Sequence, residues 1–399
     1  MATNSTSPHG PNGEVYIPEV DVEDFENYRI GGYHPTVVGE TLHNRYEVIH
    51  KLDFGGYSTI WLARDKRLQQ SGSSAYVSLK ILTADESSKS TESSILRLLR
   101  DGEFHPGQQF VPRLLDDFSF DGPNGRHLCL VQNPVAACNI AAAKEDSVSL
   151  MFPVETARNF LLYTQDLIQN LKCLGSEELY KRYRLDKAPI TRFDDQLLDP
   201  TAGISDYGTS FVVSTDADVL HKPELHTPAL YLPPEGFFDE PITQAVDIWT
   251  LGVSLYEVLG ERPFFESFGW DRDDIIAEMV STLGPLPSRW WDAWTNRNDF
   301  FEPDGSWVRQ VPDHRIYTPG SRPLRRRMWD MGRGETPDAC QWDIQGGEMR
   351  ALEELLRGML AFEPAERLTA EQLMKSEYME KWAMPAWRRQ LARSGGKQR

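Results

Sequence analysis

"RYEVIHKLDFGGYSTIWLARD" (residues 45–65) alternates apolar and polar side chains on either side of a short glycine-containing turn. A period of two sends one set of side chains to a buried face and the other to water. Residues 45–52 and 58–65 therefore read as the two strands of a hairpin. Further along, "AYVSLKIL" (75–82) alternates in the same way and predicts a third strand. "STESSILRLLRD" (90–101) changes period: Ile95, Leu98 and Leu99 share one helical face, and Ser90 or Thr91 can cap its start. "VPRLLDDFSFDGPNGRHLCLVQN" (111–133) predicts two more strands around a GPNG turn. This part of the chain is expected to be a sheet with one helix.

After Pro153 the pattern becomes helical. Val154, Ala157, Leu161, Thr164, Ile168 and Leu171 recur every three or four residues. "VDIWTLGVSLYEVLGER" (246–262) predicts a buried helix, "DDIIAEMVSTLG" (273–284) and "EMRALEELLRGMLAF" (348–362) amphipathic ones, and "LTAEQLMKSEYM" (368–379) a helix opened by a threonine cap. Residues 285–345 are rich in Trp, Pro and Gly with few periodic signals, and are expected to be long ordered loops. Residues 1–30 are rich in Gly, Pro, Ser, Asp and Glu, the composition of a disordered acidic segment. The expected order is that segment, a β-rich lobe over 31–136, a larger helical lobe over 137–385 and a basic tail over 386–399. The tail, "RRQLARSGGKQR" (388–399), reads either as a solvated end or as a nuclear-import signal.

The 399 residues are enough for one large domain or two lobes with their own cores. No run approaches the eighteen or so apolar residues of a membrane span, so no membrane association is expected. "MATNSTSPHGPNGE" at the start lacks the basic and apolar regions of a secretory signal. The four cysteines are scattered and form no CxxC, which argues against zinc or a disulfide scaffold and fits a reducing compartment, cytoplasmic or nuclear. The net charge of −18 speaks against nucleic-acid binding and is compatible with a basic partner, although solubility alone accounts for it equally well.

Three local features could carry phosphate chemistry. The turn in "LDFGGYSTIW" (52–61) holds Gly55 and Gly56, which let a backbone approach phosphate without a Cβ in the way. Asp53 places a negative charge beside that turn. Lys80 stands on the third strand as a point charge, and Glu92 follows twelve residues later at the start of the helix. "ISDYGTSF" (204–211) offers Asp206 in an Asp-x-Gly turn, a carboxylate suited to a hard cation. Each has an ordinary structural reading as well: a hairpin turn, a solvated lysine, a solvent-facing acid, a loop aspartate. Their order along the chain is more specific than any one of them. It continues with "TPALYLPPEG" (227–236), then Asp247, Trp249 and Gly252 in "DIWTLG", then Arg367 in "EPAERLTA".

In that order the chain resembles eukaryotic-type protein kinases, and specifically the SR-protein kinases. "GGYHPTVVGETLHNRYEVIHKLDFGGYSTIWLARD" (31–65) and "VPRLLDDFSFDGPNGRHLCLV" (111–131) carry the closer resemblance, which extends from about residue 24 to 385. It implies a bilobal α+β kinase fold, a small β-rich lobe followed by a mainly helical one. It implies Mg²⁺ and ATP, and phosphorylation of serine in basic Arg-Ser-rich proteins by a monomer. By the same resemblance Gly55, Gly56, Ser58, Ile60, Lys80 and Glu92 would form the ATP site and Asp206 would hold the metal. Glu235, Asp247 and Arg367 would be structural, with Arg367 the buried partner of Glu235.

One part of the pattern is missing. The family carries a catalytic loop of the type H-x-D-x-K-x-x-N, whose Asp takes the substrate hydroxyl proton. Between Leu174 and Asp206 the chain reads "GSEELYKRYRLDKAPITRFDDQLLDPTAGIS". Either Asp186 in "YRLDK" is a degenerate base, with Lys187 beside it and Thr191 in place of the Asn, or the loop is absent. The second reading makes the chain a pseudokinase scaffold or a mis-spliced version of a working kinase.

Overall fold

The computed structural model describes residues 23–70, 76–102, 111–133, 144, 150–163, 207–211, 225–267, 271–308 and 320–395. They form two compact units. The first holds the described residues up to 133 together with 207–210, and the second holds the rest.

The first unit is built on a six-stranded antiparallel sheet with strand order β1-β2-β3-β4-β6-β5. Its strands are β1 (Thr41–Leu42), β2 (Tyr46–Gly55), β3 (Ser58–Asp65), β4 (Tyr76–Leu82), β5 (Leu114–Gly122) and β6 (Gly125–Gln132). The predicted strands appear within a few residues of their expected ends because alternation is a strong signal where one face is buried. One face of β2, β3, β4 and β6 packs Tyr46, Val48, Trp61, Ala63, Leu79, Ile81 and Cys129 into a core. The opposite face carries Leu82 and Leu130, which meet Leu96 on a helix and Leu114. Short helices α1 (Lys66–Gln70) and α2 (Ala84–Ser87) flank β4, and the predicted helix is α3 (Glu92–Asp101). Thr91 is its N-cap residue, but the Ser90 hydroxyl is the one that accepts the first-turn amide, that of Glu92, at 3.3 Å.

The acidic N-terminal segment departs from expectation at its end. Residues 1–22 lie outside the described residues, but Glu23 is buried and ion-paired with Lys51, and Phe25–Asn27 form a 3₁₀ turn. Composition misled here because a single buried carboxylate with a cationic partner suffices to order a polar segment.

The second unit is helical. Its helices are α4 (Val154–Tyr163), α5 (Pro234–Phe237), α6 (Ala245–Leu259), α7 (Arg272–Leu283), α8 (Ser288–Ala293), α9 (Leu324–Trp329), α10 (Glu348–Met359), α11 (Ala370–Met374) and α12 (Met384–Gly395). The α6 side chains Trp249, Val253 and Tyr256 lie in one core with Leu352, Leu355 and Met359 of α10. A Cβ on Gly252 would crowd Leu360 and Met359 at 3.0–3.1 Å, so α6 approaches its neighbours at glycine distance. The predicted threonine cap is present: Thr369 and Gln372 bond each other's backbone as a capping box at α11.

Two expectations are corrected. The 285–345 stretch is not loop throughout: α8 and α9 lie in it, and Trp290, Trp294, Phe300 and Phe301 form a buried aromatic cluster with Ile276. The basic tail is not a free end up to Gly395. It is helix α12, with Ala386 and Gln390 buried and Arg389 donating to Glu155 of α4 at 2.7 Å.

Candidate active site

In the first unit the sheet register collects the residues predicted for the ATP site. Gly55 pairs with Ser58 to close the β2–β3 hairpin, and Ile60 on β3 lies opposite Lys80 on β4. Lys80 shares its strand face with Leu82, the face on which α3 packs through Leu96. Glu92 stands one helical turn before Leu96, on the same side of α3. That arithmetic brings the pair together. The Lys80 ammonium donates to Glu92 Oε1 at 2.9 Å and to Oε2 at 2.8 Å, and both residues are buried.

The Glu92 carboxylate has a further donor. The backbone N–H of Tyr207 lies 3.3 Å from Oε1, so the "DYG" segment is tied to the carboxylate that holds the lysine. The Thr91 hydroxyl adds a bond to the Ser210 carbonyl, also 3.3 Å. The Tyr207 ring packs against the Leu82, Leu96, Leu114 and Leu130 cluster, and its buried hydroxyl has no partner among the described residues. Burial, with the Glu92 charge adding to it, pushes that phenol up to about 12. Asp206 and Asp186 lie outside the described residues.

The glycine turn is open. A Cβ built on Gly55 or Gly56 would meet no atom within 4 Å, so both peptides can be reached by a ligand. Asp53 accepts its neighbour's amide, Phe54 N–H, at 2.8 Å. An accessible backbone turn, a buried cation on the adjoining strand and a carboxylate orienting that cation fit a polyphosphate.

In the second unit Arg367 and Glu235 form a bidentate pair with N–O distances of 2.7 and 2.6 Å. Arg367 also donates to the carbonyls of Ala245, Ala361 and Phe362 and lies over the Trp249 ring, 5.1 Å from its centroid. Asp247, on the first turn of α6, keeps exposed surface, while the protein around it raises its carboxyl pKa. Two further buried pairs were not read from sequence. Arg158 of α4 grips Glu348 of α10 at 2.7 and 2.6 Å, and Arg327 of α9 pairs with Glu278 of α7. The signal for the first was an arginine on the Val154–Leu161 face of an otherwise apolar stripe.

With this geometry in view, the comparisons with known proteins become informative. The protein kinase domain family matches residues 196–379. A serine/threonine protein kinase of Aspergillus fumigatus is 23% identical over 389 residues, covering 90% of this chain and 91% of that protein. The serine/threonine-protein kinase SRPK of Physarum polycephalum is 24% identical over 411 residues, again 90% and 91%. Human SRSF protein kinase 3 is 34% identical over 135 residues, 33% of this chain and 23% of that protein. The chain is SR-protein kinase-like. Its fold is the α+β protein-kinase fold, with the curled sheet as N-lobe and the helical unit as C-lobe. The kinase-domain match and the likeness to these relatives support a serine/threonine kinase of the SR-kinase type.

Proposed function

We propose that this chain binds Mg-ATP and phosphorylates serine in basic Arg-Ser-rich proteins, in the cytoplasm, the nucleus or both. The observation that carries the reading is the Lys80–Glu92 pair with the Tyr207 amide on the same carboxylate. ATP, with its Mg²⁺, supplies the phosphoryl group. Lys80 holds negative charge on the phosphates as a point charge, and Glu92 keeps the ammonium aimed. The Gly55 and Gly56 backbone lies beneath the phosphates, and Ser58 and Ile60 continue that wall. Asp206 is the carboxylate for the metal, and Asp186 is the candidate for taking the serine proton. The net charge of −18 favours encounter with a strongly basic chain.

The test is phosphate incorporation into an Arg-Ser repeat peptide by the full chain, against Asp206→Asn. Turnover that this substitution abolishes supports the reading. If Mg-ATP binds but no phosphate is transferred, the absence of an H-x-D-x-K-x-x-N string is decisive, and the chain is a nucleotide-binding scaffold.

A further inference from the structure

The "GGYHP" stretch (31–35) takes no part in the phosphate chemistry above, yet it is built into the first unit with unusual closeness. Gly31 has φ +84, and a Cβ there would lie 2.5 Å from Asp85 Oδ1. A Cβ on Gly32 would collide with the Asn27 carbonyl. Only glycine fits either position. Backbone bonds then tie the stretch to two corners of the sheet. Asp85 N–H donates to the Gly31 carbonyl at 2.8 Å and Ala84 N–H to the Gly32 carbonyl at 3.1 Å, just past the lysine strand. Gly31 N–H donates to the Asn124 carbonyl at 2.8 Å, and the Asn124 side chain donates to the Tyr33 carbonyl at 2.6 Å, at the β5–β6 turn.

Residues 23–36 are thereby a strap, and its third anchor is the glycine turn itself. Tyr33 is 2% exposed, and its hydroxyl donates to the Gly55 carbonyl at 2.8 Å. Burial, with the charges of Glu23 and Asp24 adding to it, pushes this phenol up, so it stays a donor. The ring is held from behind by Tyr28, whose hydroxyl bonds Glu23, which pairs with Lys51 of β2. Lys51 in turn lies over the Phe54 and Trp61 rings. The Tyr57 carbonyl, on the far side of the turn, accepts from Thr83 N–H at 2.9 Å.

A trans peptide points its C=O and its N–H in opposite directions. Fixing the Gly55 carbonyl on the strap side therefore turns the Gly56 N–H to the opposite side of the turn. We propose that Tyr33 is a positioning residue for the glycine loop: its hydroxyl sets the Gly55–Gly56 peptide so that the Gly56 N–H is presented to an ATP phosphate. The strap also joins that loop to the corner after Lys80, so the two phosphate-facing groups keep a common register. This rests on the reading of the chain as an ATP binder.

The test is Tyr33→Phe in the full chain, which keeps the ring and removes one hydroxyl. Amide exchange in residues 53–58 should rise, with residues 76–82 unchanged. Affinity for Mg²⁺ with adenylyl imidodiphosphate should fall about fivefold, the worth of one ordinary hydrogen bond, while affinity for adenosine stays the same. Asn124→Ala, which frees the strap but spares the hydroxyl, should shift both readouts in the same direction and serves if Tyr33→Phe does not fold. Unchanged exchange in 53–58 overturns the proposal. So does faster exchange with both affinities unchanged, or an equal loss for nucleotide and adenosine, which would mark a merely structural residue. A wild-type chain that binds no nucleotide refutes the kinase reading instead, and the exchange result alone then decides whether Tyr33 fixes the loop.

Discussion

Each unit of this molecule is organised around a buried cation and a glutamate, and the two pairs are built differently. Arg367 spends all five guanidinium N–H groups: two bonds to Glu235 and three to backbone carbonyls, with neither side chain exposed. Lys80 also meets both oxygens of its glutamate, but its side chain keeps 10% of its surface, and Glu92 accepts a third bond from the Tyr207 amide. The first pair is saturated and joins the α5 and α6 starts to the loop before α11. The second joins a strand, a helix and the Tyr207 backbone through one carboxylate and a compact charge. Saturation suits a lock, and a lysine point charge on the strand beside an open glycine turn suits a binding group.

The comparison can be broken first at the lock. Arg367→Ala leaves Glu235 as an unpaired buried charge and should destabilise the chain by about 3–5 kcal/mol, read from chemical denaturation. A loss near zero would mean that the pair is not what holds those segments. Next, Lys80→Met should lower phosphate transfer by about 10²–10³-fold while its denaturation midpoint stays above that of Arg367→Ala. If it is equally destabilising, the distinction between lock and binding group fails.

Acid should also separate the two units. His34 is buried against His127, with ring centroids 5.1 Å apart and an Nδ1 that has no partner among the described residues. Burial, and then the His127 charge, lower its pKa from 6.5 to about 4. A depressed folded pKa in a base gives stability that is present above 6.5 and lost as pH falls toward 4. The first unit should therefore weaken over that window by up to about 3 kcal/mol. Glu257 in the second unit is opposite in sign. Burial raises its pKa, and its contribution is fully present below 4.5 and lost as pH rises through the folded value. Peptide-resolved hydrogen exchange over this window should show the sheet loosening on acidification, and His34→Gln should flatten that response. A response that is the same in both units would show that His34 does not govern it.

What was legible in the sequence follows the same division. The strands were readable because each exposes one face and buries the other, and Lys80 and Glu92 were legible together only through the order of motifs that the kinase resemblance supplies. The six-residue helices α8 and α9 were not readable, since neither completes the two turns that a periodic stripe needs. Glu23 was lost in a polar composition. The Arg158–Glu348 and Arg327–Glu278 pairs were invisible because nothing local to an arginine says which distant acid it will meet. Asp186 and Asp206 lie outside the described residues, so the site is legible most fully where the sheet register alone constrains it.

The span of the Arg158–Glu348 contact has a consequence for how the chain is made. Its partners are 190 residues apart, whereas every strand pairing in the sheet joins residues that have all left the ribosome once residue 132 has emerged. Synthesis runs at about 5–20 residues per second, so the N-terminal sheet can complete its ladder at least ten seconds or so before α4 can meet the glutamate that neutralises it. During that interval the α4 arginine can meet only Glu155 on its own helix, and its bidentate partner is still missing. The nascent second unit is therefore the stage of biogenesis at which holdase chaperones and proteases have their longest access to this polypeptide.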